Sequence, residues 1–285
     1  MEKRILSVLA HPDDESFGMG GTLAKYASEG SRVHLICATR GEAGEVAPEY
    51  LAGYDSIAEL RIEELNCAIG KLGIETVHFL DYRDSGMTGN PANDHPAALI
   101  NAPLDEVAGK IAAYIREYKP QVVLTFDPIG GYRHPDHIFI HEATTRAFSL
   151  AGDSNFDCGL PPYHPARLYY HTIPRHFIRF NVQLLKFLGR DPSKYGKNQD
   201  IDLTQLAIDD FPVHVRVPYR KQNKAKLAAA ACHASQGGEG LTRGPMRWIA
   251  WLFGARLADG FMLGCPPPED HPGPVRRDLF AGIRE

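Results

Sequence analysis

The sequence predicts an α/β fold: a Rossmann-like, mostly parallel sheet with helices on both faces, continued toward the C-terminus by an extension of strands and helices. Three observations predict it. Apolar, β-branched runs recur at residues 5–9, 33–38, 77–80 and 122–126, and stretches of helical periodicity separate them. The runs are nearly continuous rather than alternating, as strands covered on both faces are. Clusters of His and Asp stand directly behind the first and the fourth run, where the loops of such a sheet gather ligands.

Residues 5–9, Ile5-Leu6-Ser7-Val8-Leu9, make the first strand. Residues 20–30 read as a helix with Leu23, Tyr26 and Ala27 on one face and a glycine at its end. After the second strand, 33–38, a helix is expected over 55–72. Ser56 and Glu59 have capping-box spacing, Ile62, Leu65, Ile69 and Leu72 recur on one face, and Gly73 is the stop. The third strand, 77–80, precedes a helix over 104–118 closed by Pro120, and 122–126 is the fourth strand. Beyond Arg167 the rhythm weakens, with strands expected at 168–173 and 213–217, an inserted helix at 177–188, an exposed loop at 189–202, an Ala-rich helix at 221–233 and an irregular tail after Gly264. No linker or repeat marks a boundary, so one domain over 1–285 is expected. Its core, 1–147, carries the motifs, and 148–285 elaborates the substrate pocket.

The chain has 285 residues, of which 44% are hydrophobic and 23% charged, enough for one sizeable core. A net charge of -4 excludes the basic footprint of a nucleic-acid binder and favours a small-molecule partner. The first apolar run is too short for a signal peptide and no window approaches a membrane span, so a cytoplasmic protein is expected, with homo-oligomerisation left open. Cys37, Cys67, Cys158, Cys232 and Cys265 are scattered without Cys-x-x-Cys spacing and read as reduced thiols.

The chemistry concentrates in Ala10-His11-Pro12-Asp13-Asp14-Glu15 and in Gly130-Gly131-Tyr132-Arg133-His134-Pro135-Asp136-His137. Imidazole and carboxylate suit zinc, a catalytic zinc takes three protein ligands, and His11, Asp14 and His137 supply such a set. A water on such a metal has its pKa drawn toward about 7 and needs a nearby base, a role open to Asp13. Either aspartate could instead cap the following helix. His134, three residues before His137, would lie beside it on a helical turn, able to face substrate. Iron(II) accepts the same ligands as zinc.

These motifs resemble those of the PIG-L-like (LmbE-like) zinc-dependent N-deacetylases, which act on N-acetylglucosamine-type amides. Both clusters match the family's leading and second motifs. Gly41-Glu42-Ala43-Gly44-Glu45-Val46, Arg83-Asp84-Ser85-Gly86-Met87, Asp127-Pro128, Gly130-Gly131-Tyr132 and His233-Ala234-Ser235-Gln236 are similar to the branch containing the mycothiol-pathway deacetylase and the mycothiol conjugate amidase. The resemblance implies zinc on His11, Asp14 and His137, Asp13 as general base, and His134 as oxyanion donor or acid. It further implies Tyr132 polarising the carbonyl, Arg61 in substrate recognition, and Asp84 with Glu42 or Glu45 near sugar hydroxyls. Read from its spacing alone, Arg61 is equally an ion-pair partner of Glu64. His233 either approaches the site or caps its helix, and Asp13 and His134 are both candidates to protonate the departing amine. Amidase action on a glucosaminyl thiol conjugate and non-catalytic sugar binding are the alternatives to deacetylation. The Gly152-Asp153-Ser154-Asn155 segment lacks the Gly-x-Ser-x-Gly elbow of a serine hydrolase, and Gly18, Gly20 and Gly21 depart from nucleotide-loop spacing.

Overall fold

The computed structural model describes residues 2–173, 175–195, 202–241, 257–267 and 274–283. The chain runs β1 (Arg4–Leu9), α1 (Asp14–Phe17), α2 (Gly20–Ser28), β2 (Arg32–Cys37), α3 (Ile57–Leu72), β3 (Thr76–Phe79), α4 (Leu104–Tyr118) and β4 (Val122–Phe126). It continues through the distorted turn α5 (Gly130–Arg133), α6 (Pro135–Leu150), β5 (Arg167–Thr172), α7 (Arg175–Phe187), α8 (Leu203–Leu206), β6 (Val215–Pro218), α9 (Asn223–Cys232) and β7 (Ala258–Cys265). One sheet of order β3-β2-β1-β4-β5-β7-β6 takes all of these strands. The first five pair in parallel, and β7 runs antiparallel between β5 and β6.

The helical stops follow local rules. Ser56 caps α3 by accepting the Glu59 N–H at 3.1 Å, and Glu59 reaches back to the Asp55 N–H at 2.7 Å, so the expected box closes one residue early. Gly73, with φ 74°, ends the helix in the left-handed conformation. Lys119 does the same for α4 one residue before Pro120.

Ile5, Leu6, Val8, Val122, Val123 and Leu124 of the two central strands are wholly buried, which is why their runs are continuous in apolar character. Helices α2, α3 and α9 pack together, as do α4 and α6. The chain leaves β1 toward β2 on one side and returns to β4 on the other, so the order reverses at the β1/β4 pair. Ligands bind beyond the carboxyl ends of strands at such a switch point, and both His/Asp clusters begin there.

One strand had no counterpart in the sequence reading, and one expectation needs correction. Residues 258–265, to which the pattern assigned no element, form the strand β7. Two glycines and weak alternation hide it, and pairing on both sides rather than propensity makes it a strand. Five reduced thiols were also expected, but Cys67 on α3 and Cys232 at the end of α9 form a disulfide with Cα atoms 5.8 Å apart. Their separation of 165 residues carries no local signal, and the packing of α9 on α3 creates it. Cys37, Cys158 and Cys265 are free.

The inserted helix α7 packs Ile178 and Val182 with Leu203 and Leu206 of α8, against Ile129, Tyr132 and Ile173 at the edge of the cluster. Of the inserted helix and exposed loop expected over 177–202, the Phe177 side chain and residues 196–201 lie outside the described residues. No helix among the described residues is long and apolar enough to cross a membrane.

Candidate metal centre

The turn after β1 places His11 and Asp14, and the start of α6 places His137. His11 Nδ1 lies 3.2 Å from His137 Nε2. The Asp14 carboxylate faces both rings, 3.3 Å from His137 Nε2 and 3.6 Å from His11 Nδ1. The far nitrogen of each ring is engaged: His137 Nδ1 donates to the Gly130 carbonyl at 3.2 Å, and His11 Nε2 meets Asp136 at 3.1 Å and Asp84 at 3.3 Å. That leaves two imidazole lone pairs and a carboxylate converging on one point. Such a set repels itself unless a proton or a cation stands between its members. Its spacings are roughly those of tetrahedral ligands at about 2.0–2.1 Å from a shared centre, so the donors fit a zinc-like ion.

His134 is also within ligand reach of His11 and His137. Its Nδ1, however, accepts the Asp136 N–H at 3.2 Å as the cap of α6, which puts the ring proton on Nε2. Gly130 has φ 63°, and a Cβ there would press against His137 at 2.7 Å, so the close approach that orients the His137 ring requires glycine.

Asp13 has φ 117°, unusual for a residue with a side chain and costing about 1–3 kcal/mol. Its Oδ2 accepts from Arg61 Nη2 at 2.9 Å. Arg61 is 3% exposed and also donates to the Gly41 carbonyl at 2.9 Å and to the Pro12 carbonyl. Gly41 has φ 70°, and a side chain there would run into the guanidinium. The i+3 pairing with Glu64 does not form, since Glu64 accepts instead from the N–H and hydroxyl of Ser235.

Asp84, expected near sugar hydroxyls, is turned onto His11 and accepts the Gly86 N–H at 2.8 Å and the Ala43 N–H at 3.2 Å. Glu42 accepts the Asp84 N–H at 3.1 Å, and Glu45 is exposed. Tyr132 stands edge-on to His137 with ring centres 4.9 Å apart. His233 is fully buried and meets Glu15 at 2.7 Å, so it reaches the motif without facing its open side.

Burial, with Asp13 and Glu15 adding to it, pushes Asp14 up to about 7 against the pull of His11. Burial opposes charge on His11, yet Asp84, Asp136 and Asp14 hold its pKa well above the ordinary imidazole value. Burial and the neighbouring His11 take His134 down to about 3, so it is neutral at pH 7. Burial also raises Asp13 while Arg61 draws it back, toward the range useful to a general base.

Sequence reasoning missed Asp136. It is wholly buried, accepts the Ser85 N–H at 2.9 Å and backs His11, the usual arrangement behind a metal-binding histidine. Its place between the expected oxyanion donor and the expected ligand in His134-Pro135-Asp136-His137 was the available signal.

The family model described as "GlcNAc-PI de-N-acetylase" (PIG-L) matches residues 6–148. A protein of Geodermatophilus obscurus named 1D-myo-inositol 2-acetamido-2-deoxy-alpha-D-glucopyranoside deacetylase is 40% identical over 251 residues, covering 82% of this chain and 83% of its own. A protein of the same name from Thermobifida fusca is 37% identical over 292 residues, 98% of this chain and 99% of its own. Among solved structures, the N,N'-diacetylchitobiose deacetylase of Pyrococcus horikoshii shares the fold, with a TM-score of 0.60, 22% identity and coverage of 92% of this chain and 83% of its own. The matched family segment contains both His/Asp clusters and ends within α6, and the relatives extend the likeness through the C-terminal strands, so this chain belongs to the PIG-L family of de-N-acetylases.

Proposed function

We propose that this protein is a zinc-dependent hydrolase that removes the acetyl group from an N-acetylglucosaminyl compound, with the inositol glycoside named for its curated relatives as the first substrate to test. The observation that carries the reading is the convergence of His11 Nδ1, His137 Nε2 and the Asp14 carboxylate beside an aspartate that is not part of the set.

His11, Asp14 and His137 would hold the metal, with Asp136 fixing His11. Zinc, when bound, supplies Lewis acidity toward the amide carbonyl and lowers the pKa of water toward about 7. Asp13 takes the proton of the attacking water, and Arg61 holds the carboxylate in line while moderating its basicity. His134 presents Nε2–H, and with the Tyr132 hydroxyl it donates to the oxygen that becomes negative as the carbonyl is attacked. Because His134 is neutral, the proton already on Asp13 is the one at hand for the departing amine. Glu42, on the loop after β2, and Asp84, on the loop after β3, are the carboxylates we propose for the sugar hydroxyls, with Asp84 also backing His11.

The test is acetate release from a panel holding the inositol glycoside, simple N-acetylglucosaminides and a glucosaminyl thiol-conjugate amide, with zinc-loaded and chelator-treated protein side by side. Zinc-dependent acetate release is expected. Cleavage of the conjugate alone would move the assignment to amidase action, and zinc binding without turnover of any member would sink the hydrolase reading. Replacing His134 with alanine should lower kcat about 10²–10³-fold with zinc content unchanged, the usual loss for one oxyanion donor. A loss of zinc in that variant would place His134 among the ligands instead.

Zinc uptake should also release protons. Without metal, Asp14 is protonated below about pH 7 and His11 stays protonated to higher pH, so zinc must displace these protons as it binds. Apparent zinc affinity is therefore expected to fall as pH drops from about 8 to about 6. Zinc titrations across that range check it, and a flat profile would contradict the convergent donor set.

A further inference from the structure

The backbone of Asp13 is held by a residue that neither faces the substrate side nor joins the ligand set. Its N–H donates to Glu15 Oε2 at 3.0 Å. The other carboxylate oxygen of Glu15 accepts from His233 Nε2 at 2.7 Å and from the Ser16 hydroxyl at 2.6 Å. Both Glu15 and His233 are wholly buried.

His233 is itself anchored. Cys232, immediately before it, is bonded to Cys67 of α3, and Ser235, two residues after it, donates its N–H and hydroxyl to Glu64 of the same helix at 2.7 and 2.8 Å. Helix α3 also delivers Arg61 to the Asp13 carboxylate. Asp13 is thus gripped at its main chain through Glu15 and at its side chain through Arg61, and both grips trace back to α3. A positive φ at a residue with a side chain persists only where its surroundings over-determine it. Removing the acceptor would leave a partly buried N–H unpaired and free the backbone to relax, carrying the carboxylate with it.

We propose that Glu15 and His233 are positioning residues for Asp13: the pair sets the left-handed backbone that aims the base and acts on the reaction only through it. The proposal rests on Asp13 being the base in the reading above.

The experiment is a cycle of zinc-loaded wild type, Glu15→Ala, Asp13→Ala and the double variant, measured for kcat, KM and zinc content. Glu15→Ala should lower kcat about 10²-fold, the loss expected when a catalytic group is displaced by about 1 Å. KM and zinc content should stay unchanged, and Glu15→Ala should cost nothing further once Asp13 is already alanine. Glu15→Gln, which keeps an oxygen for the Asp13 N–H, should recover most of the activity. Should Glu15→Ala fail to fold, the cycle runs with His233→Ala against Asp13→Ala and carries the same expectation. Equal losses in the presence and absence of the Asp13 carboxylate, or a loss of zinc, would overturn the positioning role alone. A wild type that releases no acetate from any substrate would overturn the hydrolase reading and this role with it.

Discussion

Replacing Asp13 with asparagine lowers kcat by about 10³-fold, within the range that general acid–base catalysis contributes, and leaves zinc content and fold intact. The substitution keeps the shape and keeps an oxygen for the Arg61 Nη2 contact, while removing the basicity. Because Asp13 lies outside the convergent set formed by His11, Asp14 and His137, the zinc content should not change. Steady-state acetate release paired with metal analysis of the same sample decides the matter. If the asparagine variant loses zinc, Asp13 is a ligand. If it keeps full activity, another group takes the proton.

Replacing His137 with alanine gives the opposite pattern, with zinc lost and activity falling to background. His137 Nε2 faces both His11 and Asp14, and its Nδ1 bond to Gly130 fixes the ring so that Nε2 has no other partner among the described residues. Loss of an outer partner of a metal ligand already costs about 10–100-fold in metal affinity or activity, and loss of the ligand itself should exceed that. Zinc stoichiometry after dialysis is the measurement. Retention of tightly bound zinc by the variant would mean that His134, also within reach of His11, completes the set. Together the two variants separate the group that moves a proton from the group that holds the metal, though both arise from motifs at the same edge of the sheet.

The parallel half of the fold was legible because its signals are local. Continuous apolar runs mark β1 to β4, Ser56 and Gly73 bound α3, and the left-handed Lys119 just before Pro120 bounds α4. The candidate ligands were legible for a related reason: in a parallel sheet, loops at neighbouring strand ends must converge, so two clusters behind β1 and β4 foretold one site. Strand β7 was hidden because an antiparallel strand lying between two others is held by its partners. A residue pattern with two glycines says little about those partners.

Within the site, residue types came from the sequence and partners did not. The sequence left Arg61 between substrate recognition and pairing with Glu64; the pairing does not form, its donors meet Asp13, Pro12 and Gly41, and Glu64 turns to Ser235. His233 was open between approaching the site and capping its helix, and the packing of α9 against α1 and α3 brings it to Glu15. The Cys67–Cys232 bond has the same origin. By itself, the sequence determined which strands of the parallel half form, which metal-ligand residue types stand behind them and where on the sheet those clusters meet, because periodicity, capping and strand-end geometry act over a few residues. Only the tertiary structure decided what each buried polar group touches, since a buried group takes whichever partner packing brings within about 3 Å, and the partner of Glu15 in the site lies 218 residues along the chain.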